Sequence, residues 1–180
     1  MTRKQTGKTA LCGVLGALAV VLLLVGGILP AATFCAPALS GLVVMVAAAE
    51  CGVTLGWTLY VAVALLALFL APDKEMALMF AGLLGYYPLL KAPLEKLHPR
   101  PVRGLAKALV FNGALALVYG LLLKIFPVAA LEQEMGGAGQ GFLAVLLILG
   151  NITFWVYDLA LLRVMQLYRY KLRPKLKKLH

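Results

Sequence analysis

Serine occurs once in these 180 residues, at Ser40, and histidine twice, at His98 and His180. Neither histidine lies in a long apolar run. A serine nucleophile working inside a membrane needs a histidine or lysine beside it, and the chain does not supply that set. No HExxH helix motif offers zinc ligands, and no GxxxxGK[ST] loop offers a nucleotide phosphate cradle. Acidic residues number 7, and Asp158 stands alone within the apolar runs. A metal-dependent lipid transferase would need several carboxylates together. The three cysteines, Cys12, Cys35 and Cys51, show no CxxC spacing, which argues against a disulfide framework or a zinc centre. Small apolar packing is their expected role. These shortages predict that the chain is not an enzyme and needs no cofactor.

Apolar residues are abundant instead. Hydrophobic residues make up 63% of the chain and charged residues 13%, against roughly 45–50% and about 25% in soluble domains. A membrane-spanning helix needs about 20 apolar residues. Six such runs are predicted, at about 9–29, 33–49, 52–71, 76–90, 104–126 and 141–162. The second is short and contains Pro37, which predicts an irregular or tilted start. The fourth carries Pro88. Asp73 reads as an N-cap, with Glu75 in the first turn where acids suit the helix dipole. Pro93, Pro99 and Pro101 predict a broken linker between Lys91 and Arg103. The expected fold is one all-α integral membrane domain, a six-transmembrane-helix bundle covering residues 1–180. No cleaved leader is expected, because the first run is long and no small-x-small site precedes a soluble domain.

The 17 basic residues fall in three clusters. Arg3, Lys4 and Lys8 precede the first run. Lys91, Lys96, Arg100, Arg103 and Lys107 surround the proline-rich linker. Arg163, Arg169, Lys171, Arg173, Lys175, Lys177 and Lys178 form a basic tail over 163–180. Only Lys74, flanked by Asp73 and Glu75, and Lys124 fall elsewhere; the loop with Glu132 and Glu134 is acidic and glycine-rich. Basic loops stay on the cytoplasmic side. With six spans and both termini cytoplasmic, every basic cluster lies inside. A net charge of +10 also suits nucleic acid, but these charges flank apolar runs, so no nucleic acid partner is expected. Anionic lipid headgroups fit the tail, at about 1 kcal/mol per charge. The expected location is the plasma membrane, as a multi-pass protein of a bacterial cell.

Polar groups within the runs are few. Asn112, Asn151, Tyr60, Tyr86, Tyr119, Trp155 and Tyr157 suit either of two roles. They line a small cavity for an organic solute, or they make interhelical hydrogen bonds worth about 0.6 kcal/mol each. Asp158 is expected to pair with a base of the 91–107 linker or with Arg163. Lys91 and Glu95 are spaced for an i, i+4 pair that Pro93 opposes. Glu50 is expected to be solvated, and Trp57 to anchor at the interface. Gly13 and Ala17 form a small-xxx-small face on the first span, and Gly52 and Gly56 form another on the third.

Length, span count, termini and the face at Gly13 and Ala17 together resemble the substrate-binding S components of energy-coupling factor vitamin transporters. That family places an Ala-xxx-Ala face on its first helix to dock on a transmembrane coupling subunit; here glycine stands in the first place. The resemblance implies a small polar organic solute bound near the outer side by the upper halves of spans four to six, with Tyr86, Tyr119, Asn151 and Trp155 as substrate-binding residues. It further implies docking through Gly13 and Ala17, and ATP hydrolysis by separate subunits. The expected function is therefore uptake of a vitamin-like micronutrient. The alternative is a membrane scaffold or accessory subunit whose basic segments recruit partners or anionic lipid. A small oligomeric channel or exporter is a third reading, which the polar-poor spans disfavour.

Overall fold

The computed structural model describes residues 3–29, 32–96, 98–125 and 140–172. Among these the elements are all helical: α1 Arg3–Gly26, α2 Cys35–Cys51, α3 Val53–Leu70, α4 Lys74–Met79, a π-helical turn Phe80–Leu84, α5 Tyr87–Leu94, α6 Arg100–Ile125, α7 Gln140–Leu167 and a second π-helical turn Tyr168–Leu172. Among the described residues five segments are long and apolar enough to cross a membrane: Thr6–Gly26, Val53–Leu70, Lys74–Leu94, Arg100–Leu121 and Leu147–Leu167. The second expected span, α2, has 17 residues and a length of about 25 Å, short of the roughly 30 Å hydrocarbon core. This is a multi-pass helical membrane architecture. The acidic loop with Glu132 and Glu134, and the tail from Arg173 onward, lie outside the described residues.

The prolines act differently from their sequence expectation. Pro37 sits buried in the first turn of a regular α2, where its missing N–H has no intrahelical partner to lose. The irregular backbone comes before it, at 32–34. Helix α5 runs through Pro93 to Leu94, and α6 restarts at Arg100 with Pro101 in its first turn. Among the described residues of the expected linker, only 95, 96, 98 and 99 are therefore non-helical.

The chain divides into two compact units, residues 1–131 and 132–180. In the first unit, α1, α2 and α3 pack together around Ala19, Leu23, Val44, Ala47, Val63 and Ala67, and Met76 and Phe80 of the fourth segment close the core. Much of this core is alanine. Small side chains let helix backbones approach closely, which is how helices associate where lipid removes the hydrophobic driving force. Ser40 uses that closeness, donating its hydroxyl to the Ala19 carbonyl at 3.0 Å. Gly56 does too, for a Cβ there would lie 2.6 Å from Ala48 Cβ and 3.0 Å from its Cα.

One end of this unit is held by a polar lock. Asp73 caps α4 by accepting the Met76 N–H at 3.1 Å, as the sequence predicts, and its other oxygen accepts the Thr33 hydroxyl at 3.2 Å. Lys74 donates to the carbonyls of Leu68 and Ala71, each at 3.0 Å, satisfying orphan groups at the end of α3. At the opposite end the α2–α3 connection turns on Gly52, whose φ of 107° lies in the region only glycine enters freely. There the Cys51 thiol donates to the Lys8 carbonyl at 3.2 Å.

In the second unit α7 carries two distinct faces. Phe154, Asp158, Leu161 and Tyr168 are buried. Ile148, Ile152, Val156 and Leu159 are between 55% and 63% exposed, an apolar stripe of the kind lipid covers.

Candidate functional site

Tyr86 and Tyr119 belong to the first unit, Asn151 and Trp155 to the second. Tyr86 is half-buried and stacks edge-on against Tyr60, with ring centroids 6.1 Å apart. Tyr60 also meets Trp57 at 5.8 Å and Phe80 at 6.1 Å, and its hydroxyl donates to the Ala81 carbonyl. That carbonyl belongs to the π-helical turn, where the usual ladder is interrupted and irregular carbonyls seek partners. Gly85 makes the cluster close-packed, since a Cβ there would lie 2.7 Å from the Phe80 carbonyl and 2.9 Å from the Tyr60 ring. Tyr86 thus joins an aromatic group with Trp57 and Tyr60. Trp57, expected as an interfacial anchor, is half-buried within it.

Tyr119 lies on α6, 40% exposed, within electrostatic reach of Glu75. Its neighbour Val118 is buried and occupies the space a side chain at Gly82 would need. Asn151 donates its amide to the Leu147 carbonyl of its own helix at 2.8 Å, and Asn112 likewise donates to Ala108 at 2.9 Å. Back-bonding of this kind satisfies one amide N–H within the same helix. Trp155 is 46% exposed and meets Phe154 edge-on at 6.0 Å. At the helical repeat of 100° per residue it shares the outward face with Ile148, Ile152 and Leu159. Asp158 is buried and takes part in a polar interaction.

The two small-residue motifs diverge. Gly56 packs against α2, but Gly52, expected on the same helical face, lies outside α3 in the turn before it and is exposed, and Gly13 and Ala17 are exposed as well. A Cβ at Gly13 would meet nothing within 4 Å. The flanking Val14, Leu18, Val21 and Val25 are 47–67% exposed. The surface at Gly13 is an open, apolar face of α1.

A charged cluster that the sequence places only in part stands at the α5–α6 junction. Glu95 pairs with Lys91 at 3.6 Å despite Pro93, because the helix continues through that proline and keeps the i, i+4 geometry. Glu95 also reaches Lys107 of α6 at 3.8 Å. Both lysines are at most 5% exposed. The i, i+4 half was readable from spacing; the Lys107 half joins two helices and left no local signal. Glu50, expected in solvent, is half-buried with Oε1 shielded, because it ends a helix that packs on α5. No cluster of three or more metal-ligating side chains occurs among the described residues.

Comparison with protein-family models, with curated proteins and with solved structures finds no match to this chain.

Proposed function

We propose that this chain is the solute-binding subunit of a bacterial uptake system, an S component for a small polar, vitamin-like micronutrient that works with a transmembrane coupling subunit and ATPases. In this reading it crosses the plasma membrane six times with both termini cytoplasmic. The gathering of basic residues at the chain start, the α5–α6 junction and the end of α7 supports that orientation. The observation that carries the reading is the open small-residue face at Gly13 and Ala17. A small-residue face left open by the described helices of its own unit suits close approach of a partner helix.

The test is a bulky substitution. Gly13→Leu enlarges the side chain at an exposed position where a Cβ meets nothing within 4 Å, so the protein should fold. Uptake in the host should be lost while solute binding by the purified protein persists. Unimpaired uptake by this variant would refute docking through α1.

A scaffold or accessory role is the second reading, favoured by the dense packing at Gly85, which leaves no space beside the Tyr60 and Phe80 rings. Purification in mild detergent, with mass spectrometry of proteins and small molecules retained, separates the two. A coupling subunit with ATPases or a bound solute supports transport; a different partner without solute supports the scaffold.

A further inference from the structure

We infer that the outward face of α7 is a binding site for one anionic phospholipid of the leaflet at its C-terminal end. Counting at 100° per residue, Ile148, Ile152, Val156 and Leu159 fall within one quadrant of the helix, and Arg163, Gln166 and Tyr170 continue the same line. The first four are apolar and more than half exposed. From Arg163 onward the face carries polar and basic groups beside an apolar floor: Arg163, Gln166, Tyr170 and Lys171, with Val164 and Leu167, line an open surface groove of about 450 Å³.

The register matches a lipid in two respects. The apolar stretch from Ile148 to Leu159 rises about 16 Å, close to one leaflet of the roughly 30 Å hydrocarbon core, so an acyl chain lies along it. The groove then meets the headgroup. The Arg163 guanidinium presents a planar fork to a phosphate, Lys171 adds a second positive charge, the Gln166 amide adds a donor, and Tyr170, 81% exposed, sits where tyrosine favours the interface. Among the described residues no acidic side chain borders the groove. Two cations without a carboxylate select an anionic headgroup over a zwitterionic one. The inference rests on α7 crossing the membrane and is independent of solute transport.

The test is native mass spectrometry of the full chain in neutral detergent with equal amounts of a phosphatidylglycerol and a phosphatidylcholine of the same acyl chains. The parent protein should retain the anionic lipid preferentially. Each groove charge contributes about fivefold, so R163Q/K171Q should lower the preference by about 25-fold. Both residues are exposed, so the fold should survive. As a second measurement on the parent protein, raising salt should release the anionic lipid and leave the zwitterionic one unchanged. Equal retention of the two lipids, an unchanged preference in the double variant, or displacement by glycerol phosphate as readily as by intact lipid would overturn the site. The readout involves no solute or uptake, so its failure is distinct from failure of the transport reading.

Discussion

Gly26, near the C-terminal end of α1, gives the sharpest test of the packing. It lies in regular helix without a positive φ, so backbone freedom is not why glycine stands there. At an exposed helical site Gly→Ala stabilises by roughly 0.8–1 kcal/mol. Here a Cβ would overlap the Cβ of Ala36 on α2 and would lie 3.6 Å from its Cα and 3.5 Å from Met76 Sδ. The two methyl carbons would sit more than 1 Å inside their resting separation of roughly 3.5 Å. Alanine has no rotamer with which to retreat, so the α1 and α2 backbones must separate. Overpacking of this kind costs about 1–3 kcal/mol, which exceeds the propensity gain, and the sign reverses. Gly26→Ala should therefore lower the thermal unfolding midpoint in detergent. Gly113→Ala, where a Cβ meets nothing within 4 Å, should raise it slightly. Ala36→Gly removes the obstacle, so the double variant Gly26→Ala/Ala36→Gly should be more stable than the two single effects predict. A Gly26→Ala protein as stable as Gly113→Ala, or strict additivity in the double variant, would refute the α1–α2 contact.

Asp73→Ala removes both the α4 cap and the Thr33 bond and should cost about 1 kcal/mol in the same melt; Asp73→Asn, which keeps a cap, should lose less. Ser40→Ala should cost about 0.6 kcal/mol, and an unchanged midpoint would mean the Ala19 bond contributes nothing. Glu95→Gln leaves Lys91 and Lys107 without their shared carboxylate. Breaking a fully buried pair costs roughly 3–5 kcal/mol; because the Glu95 side chain is 34% exposed, a loss of about 1–3 kcal/mol is expected. Chemical denaturation of the Glu95 variant beside Lys107→Met would show whether the two residues act as one unit, since coupled residues give non-additive losses.

Hydropathy, read along the chain, carried the helical class and the five long apolar segments found among the described residues, because such a segment is a property of about 20 consecutive residues and needs no partner. The Asp73 cap was legible for the same reason, its donor being only three residues away. Local signals failed where tertiary contact decides. Pro93 looked like a helix breaker, yet α5 continues through it, and Lys91 reaches Glu95 after all. Glu50 looked solvated, yet packing of α2 on α5 shields it. Tyr86 joins an aromatic group with Trp57 and Tyr60, a neighbourhood set by how α3 and the π-helical turn pack.

The small-residue motifs mark the division most clearly. Sequence alone could name Gly13 with Ala17 and Gly52 with Gly56 as faces for close helix approach, because spacing four apart puts residues on one side of a helix. It could not tell which face the chain fills itself. The tertiary structure closes α2 over Gly56 and leaves Gly13 open. Spacing is a property of one helix; occupancy depends on where every other helix lies.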